Sequence, residues 1–251
     1  MMPTAPVRFS HLKQLALSPL HYWHATQAGW TDTASTRVGS AAHAVLFETP
    51  HVVFPGARRA GKEWEAFADA NCDRLILSRG EADTAGEIAS AIEAHQLAWR
   101  LLRTDAEYRE RRVEWTLHGW ACAGTPDAWS DSYIVDLKTA RCAEPSRFMR
   151  DAQYRAYHAQ VAWYHDGLAA RDSLSRTPYI IAVENKAPYA VSVLELDAAT
   201  MDAGRRLYRL WLEQLAVCVD SGVWPGYSSE PVRWKIETDV EYVGLEDDDA
   251  E

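Results

Sequence analysis

Two acids set inside otherwise apolar β-strand sequence are the feature that any fold for this chain has to accommodate. They lie in Glu114–Thr139, EWTLHGWACAGTPDAWSDSYIVDLKT, which reads as three short strands joined by tight turns. Asp127 follows Thr125-Pro126 at the end of the second strand, and Asp136 lies in the third, YIVDLKT. Side chains alternate along a strand, so Asp136 and Lys138 share one face while Val135 and Leu137 turn to the other. A hairpin between the second and third strands would bring Asp127 beside Asp136. Two carboxylates that close repel unless one is protonated or a cation neutralises them, and a hard divalent ion with oxygen ligands, such as Mg2+, is the usual neutraliser.

With 251 residues, 47% hydrophobic and including 11 Trp, the chain has apolar material for a substantial core. No long window is both rich in Pro and Gly and poor in hydrophobics, and no repeat is present, so residues 1–244 read as a single domain. No apolar run approaches the length of a membrane span and no signal-peptide pattern opens the chain, so a soluble cytoplasmic protein with no membrane partner is expected. Cys72, Cys122, Cys142 and Cys218 form no CxxC pair, which argues against a zinc ribbon, an iron–sulfur cluster or a disulfide framework. A formal charge of -10 is the wrong sign for phosphate binding. Five of the acids, however, crowd into residues 245–251, LEDDDAE, which read as a solvated, disordered tail. The remaining body is mildly acidic and can still present a local basic groove.

Along the chain, SHLKQLALSPLHYWHA reads as a helix from the Ser10 N-cap, broken at Ser18-Pro19 and restarted. TRVGSAAHAVLFETP reads as a closely packed helix carrying His43, and Arg58, Arg59 and Lys62 lie on a loop ahead of another helix. Apolar residues over 81–103 have the spacing of one long packing helix. After the acidic strands, PSRFMRDAQYRAYHAQVAWYHDGLAA reads as a helix on which Tyr157, Gln160 and Tyr164 share a face. TPYIIAVE and PYAVSVLEL then suggest a hairpin, and a last helix runs from about Asp197 to Ser221. The order of elements is that of a mixed α/β fold with the acidic strands central.

Pro126-Asp127 followed by Asp136-x-Lys138 is a short pattern that gains weight from context. With those residues in place the sequence resembles the PD-(D/E)xK nuclease superfamily, and within it the exonuclease branch that includes exodeoxyribonuclease VIII and, more distantly, lambda exonuclease. LKQLALSPLHY, RVGSAAH, RRAGKEWEAFA, GTPD with VDLKT, QVAWYHDGL, VENKAPYAV and GRRLYRLWLEQLAVCVDSGVWPGY carry the likeness in order along nearly the whole chain. The resemblance implies a restriction-endonuclease-like core, a central mixed β-sheet flanked by helices on both sides. It implies a site in which His43, Asp127, Asp136 and the Leu137 carbonyl hold Mg2+, with Mn2+ able to substitute, while Lys138 acts on the attacking water. Gln160 and Tyr164 match a QxxxY helix that positions the strand, with Tyr157 on the same face. Glu114 sits where relatives place a further acid, although a strand Glu can equally face water or pair with an arginine. Arg37, Arg58, Arg59 and Lys62 are candidates for the 5′ phosphate.

The implied activity is digestion of one strand of linear duplex DNA from its 5′ end, leaving 3′ single-stranded tails for an annealing protein in phage recombination. A ring-shaped homo-oligomer, a trimer or tetramer enclosing the duplex, follows from the same resemblance. The rival readings are a nicking or structure-specific endonuclease on this core, an inactive relative that only binds DNA or a partner, and an ordinary α/β protein with chance acids.

Overall fold

The computed structural model describes residues 5–28 and 34–234. Strand β1 (Val7–Arg8) leads into a short helix α1 (Phe9–Leu12), a 3-10 turn (Lys13–Ala16) and helix α2 (Pro19–Ala28). Proline opens α2 because its missing amide costs nothing in a first turn. Helix α3 (Ala34–Leu46), strand β2 (His51–Val53), helix α4 (Gly61–Ala70) and strand β3 (Leu75–Leu77) follow. Helix α5 (Arg79–Ala94) starts from a capping box. The Glu81 amide donates to the Ser78 hydroxyl at 3.2 Å, and the Ser78 amide donates to the Glu81 carboxylate at 2.8 Å.

The single helix expected over 81–103 is in fact broken. His95 takes an extended conformation, its ring caps helix α6 (Gln96–Trp99), and a π turn (Arg100–Thr104) completes the segment. Of the apolar residues with that spacing, Ile88, Ile92, Leu101 and Leu102 are buried but Leu97, on α6, is 45% exposed, because periodicity carries no sign of where a side chain will cap a new helix.

The acidic region holds more strands than its sequence suggested. Strand β4 (Tyr108–Arg109) precedes β5 (Val113–Leu117), β6 (Trp120–Gly124), β7 (Ala128–Trp129) and β8 (Tyr133–Ala140). Pro126 separates β6 from β7, since a residue without an N–H cannot extend a ladder. β6 therefore pairs with β5 and, in parallel, with β1, while β7 enters a different sheet. That sheet has the order β10-β9-β8-β7-β4, using β9 (Thr177–Glu184) and β10 (Val191–Glu195). β8 and β9 run parallel and the other pairs antiparallel, which makes it the mixed central sheet. Helices α7 (Pro145–Tyr154), α8 (Tyr157–Asp172) and α9 (Ala198–Ser221) complete the described elements.

Alternation along β8 and β9 divides the interior in two. Ile134, Ile180 and Ala182 face a core shared with α1, α8 and α9. Val135, Leu137, Ile181 and Val183 face one shared with α3 and α5. Trp163 anchors the first, packed edge to face against Trp115 and Tyr208 with ring centroids 5.0 and 5.4 Å away. The segment after α9 returns to the N-terminal region, where Trp224 stacks on Tyr22 at 5.8 Å. The acidic stretch 245–251 lies outside the described residues. Among the described residues no helix is long and apolar enough to cross a membrane, and all four cysteines are free.

Helix α9 rests directly on α8 at Gly204, where an added Cβ would lie 2.6 Å from the His158 carbonyl oxygen. Backbone cannot yield as a side chain can, so Gly204→Ala should force the helices apart. A loss of roughly 1–3 kcal/mol in urea unfolding is expected; unchanged stability would show that the two helices slide freely.

Candidate active site

Sheet register builds the site. β7 and β8 pair with Ala128 opposite Val135 and Trp129 opposite Ile134, so the next step places Asp127 across from Asp136. The Leu137 amide donates to Asp127 Oδ2 at 2.5 Å. On the other edge of β7, Arg109 opposes Ala128, and the Glu110 amide donates to the Asp127 carbonyl at 2.9 Å. Glu110, just after β4, and Asp127, just before β7, thus form a row of acids with Asp136 of β8.

The central members are deeply enclosed, Asp127 8% and Asp136 1% exposed. A buried charge without compensation costs several kcal/mol, so each carboxylate needs a partner. Lys138 Nζ lies 2.6 Å from Asp136 Oδ2 and 4.8 Å from the centre of the Tyr157 ring. Its approach is an ion pair by distance but is misdirected for a hydrogen bond, so Asp136 Oδ2 has no hydrogen-bond donor among the described residues. His43 projects from α3 with Nδ1 3.6 Å from Asp127 Oδ1 and 3.4 Å from Glu110 Oε1. Thr49 donates its hydroxyl to the second Glu110 oxygen at 2.8 Å.

Burial pushes the Asp127 carboxyl up to about 6, with the Asp136 charge adding to the effect and His43, Lys138 and the Leu137 amide opposing it. Burial alone would depress His43, but Asp127 and Glu110 outweigh it and hold the imidazole above its ordinary value. Lys138 likewise loses solvation, yet Asp136 and Asp127 keep it firmly protonated. Behind them, Gln160 Nε2 donates to the Tyr164 hydroxyl at 3.1 Å, and burial raises that hydroxyl to about 12. Gly124 makes the approach of Tyr164 possible, because a Cβ there would stand 2.5 Å from its ring. A cleft of about 500 Å3 has His43, Glu110, Leu137, Lys138 and Tyr157 on its walls, while Asp127 and Asp136 lie behind that lining.

His43, Asp127, Asp136, Leu137, Lys138 and Tyr157 are thus gathered in one place, with Gln160 and Tyr164 on the helix behind. Glu114 is not. Its side chain is 61% exposed and pairs with Arg112 at 2.7 Å on β5, in the other sheet, and the further acid that reaches the site is Glu110. Arg37 and Arg59 are also elsewhere employed. Arg37 Nε lies 2.9 Å from Glu81, and Arg59 pairs with the same carboxylate while donating to the Ile76 carbonyl at 2.8 Å. Arg58 and Lys62 are exposed and do not line the cleft. Glu110 escaped the sequence reading because it sits in a charged run, RERR, at a left-handed turn (φ 43°) that no spacing signals.

The donors suit a hard divalent ion. Asp127, Asp136, Glu110 and the Leu137 carbonyl offer oxygens, His43 offers one nitrogen, and Asp136 Oδ2 is buried without a hydrogen-bond donor. Among the described residues, no three acidic, His or Cys side chains converge on one point. Instead, Lys138 and His43 stand between the acids.

The pH dependence of the metal-free fold has a definite sign. Asp127, raised from 3.8 to about 6, ionises at a cost as pH rises through that interval. The contribution of His43, raised above 6.5, is complete below 6.5 and is lost as pH climbs through its folded value. Both effects weaken the wild type toward alkaline pH, and Asp127→Asn removes the first and lessens the second. In chelator, denaturant titrations should show Asp127→Asn gaining roughly 1–3 kcal/mol on the wild type between pH 4 and 8; a constant difference would refute the assignment.

Among solved structures, a protein of Eubacterium rectale provisionally named an exonuclease superposes with a TM-score of 0.67 at 13% identity, over 92% of this chain and 90% of its own, which shows a common fold. A phage-related exonuclease of Haemophilus somnus 129PT matches at TM-score 0.39 and 14% identity over 87% of this chain and 97% of that one. The alkaline exonuclease LHK-Exo of Laribacter hongkongensis matches at 0.31 and 12% over 74% and 92%. Both are too remote in shape to add to the first. No curated protein sequence matches the chain. The model of a PDDEXK-like domain of unknown function, DUF3799, matches residues 8–234, from β1 through the coil that follows α9. The chain, with its Pro126-Asp127 and Asp136-x-Lys138 on adjoining strands, therefore belongs to this PDDEXK-like family.

Proposed function

We propose that the protein is a divalent-metal-dependent nuclease that hydrolyses phosphodiester bonds of DNA. The observation that carries this reading is the buried pair Asp127 and Asp136 on adjoining strands, with Lys138 at 2.6 Å from Asp136 and a carboxylate oxygen there still lacking a hydrogen-bond donor. Asp127, Asp136, the Leu137 carbonyl and His43, with Glu110 in reserve, would hold Mg2+ or Mn2+, which would supply Lewis-acid polarisation of the phosphoryl group and a more acidic attacking water. Lys138 is held protonated, so its part is to orient that water and offset charge as it develops on the phosphate, rather than to take a proton. Tyr157 supports the ammonium from its ring face. Gln160 and Tyr164 hold each other and present a polar edge beside the acids for positioning the strand.

In its finer form the proposal is an exonuclease acting on one strand of linear duplex DNA, 5′ to 3′, as a ring-shaped trimer or tetramer, and leaving 3′ tails for an annealing protein. The family resemblance of the sequence supports that form.

Linear duplexes labelled at either 5′ or 3′ ends, and supercoiled circles, test activity, polarity and the need for an end in one experiment. Lys138→Ala and Asp136→Asn should each lower the rate on linear duplex by about 10²–10⁴-fold; wild-type rates in both would defeat the proposal. Mn2+ at a hundred times its dissociation constant should raise unfolding stability by about 2.7 kcal/mol in the wild type and far less in Asp136→Asn. Equal shifts in the two proteins would place the ion elsewhere.

A further inference from the structure

Two cations in the cleft have no part in the site described so far. Lys13 extends from the 3-10 turn after α1, and Arg155 from the joint between α7 and α8. Ala156, immediately after Arg155, is buried and left-handed (φ 57°) although it is not glycine, a conformation that costs free energy unless its surroundings enforce it. On either side of that bend, Arg155 and Tyr157 both line the cleft.

The neighbouring charges are already matched. Asp136 has Lys138, Asp127 has the Leu137 amide and His43, and Glu110 has Thr49 and His43. Arg37 and Arg59 are bound to Glu81. Among the described residues, neither Lys13 nor Arg155 has a side-chain hydrogen bond or a carboxylate within ion-pairing distance, although Lys13 is half-buried. Burial and the like charges of Lys138 and Arg155 lower the Lys13 ammonium from its ordinary value, with Asp136 opposing them. Cations brought together in a cleft without counter-charge are relieved by an anion, and a divalent ion on the acids would leave the cleft still more positive.

We infer that Lys13 and Arg155 form a clamp for a backbone phosphate of the DNA strand, next to the phosphate that is cut. The inference rests on the nuclease reading for the identity of the anion, and on the unpartnered cations for its place. Both are positioning residues: they hold the strand in register with Asp127, Asp136 and Lys138 and take no part in bond cleavage.

Steady-state cleavage of linear duplex by Lys13→Gln, Arg155→Gln and the double variant tests this. Each single change should raise KM about tenfold, with kcat changed less than about threefold, and lower the salt dependence of binding by about one phosphate contact. Lys13→Arg and Arg155→Lys should recover most of the loss. Thermal unfolding of metal-free Lys13→Gln should be no lower than wild type, since one of three like charges has gone. Wild-type KM and salt dependence in the double variant would overturn the clamp. So would a loss confined to kcat, or a fall in stability that tracks the loss of activity. If the wild type cuts no DNA with any divalent ion, the nuclease reading fails separately. The clamp is then judged by calorimetry with inorganic phosphate, where binding at least tenfold weaker in the double variant supports it and equal binding overturns it.

Discussion

Burying two neighbouring carboxylates, Asp127 and Asp136, beside a half-exposed Glu110 is the constraint on which the rest of this structure depends. Main-chain pairing draws the acids together: Asp127 immediately precedes the β7–β8 pairing at Ala128 and Val135, and the Glu110 amide donates to the Asp127 carbonyl just beyond the β4–β7 pairing. Hydrophobic packing then encloses the two aspartates, with Ile134 on one face of β8 and Val135 and Leu137 on the other. The Asp136 charge adds to the cost of ionising Asp127, and the surroundings answer the acids with one amide, one imidazole, one ammonium and one hydroxyl. Asp136 Oδ2 has the Lys138 charge beside it but no hydrogen-bond donor among the described residues, a contact that a divalent ion would supply.

The helices around the sheet are placed by what this row needs. α3 approaches β8 closely enough for a Cβ on Gly39 to meet Thr139 Oγ1 at 3.5 Å, and one turn later the same helix delivers His43. α8 lies against β6 over Gly124 and brings Tyr164, with Gln160 one turn before it. The basic side chains divide into two groups by their partners. Arg37 and Arg59 hold the start of α5 through Glu81 and so serve the fold, whereas Lys13, Lys138 and Arg155 converge on the cleft. An acidic protein can in this way keep a cationic surface where a phosphate chain would lie.

Much of this was legible in advance. Alternation in YIVDLKT is a local property of any strand, so the common face of Asp136 and Lys138 could be read from spacing, and so could the shared face of Tyr157, Gln160 and Tyr164 on a helix. Glu114 misled for an equally physical reason: Pro126 ends the ladder to which β5 and β6 belong, and the acid on β5 is carried into a different sheet. Glu110 was invisible because its place depends on β4, two residues long, finding the far edge of β7. Arg37 and Arg59 looked like phosphate ligands only while Glu81, distant in sequence from Arg37, had no known position.

By itself the sequence determined the element types, the mixed α/β class, the paired aspartates and the lysine that accompanies them, because period, turn chemistry and motif spacing are properties of neighbouring residues. Which acid completes the row, which arginines are already spent on Glu81, and which two cations are left facing the cleft were decided only by tertiary structure. Each of those outcomes is an electrostatic pairing between segments far apart in the chain, and a charge acquires its partner only when folding has set the distance between them.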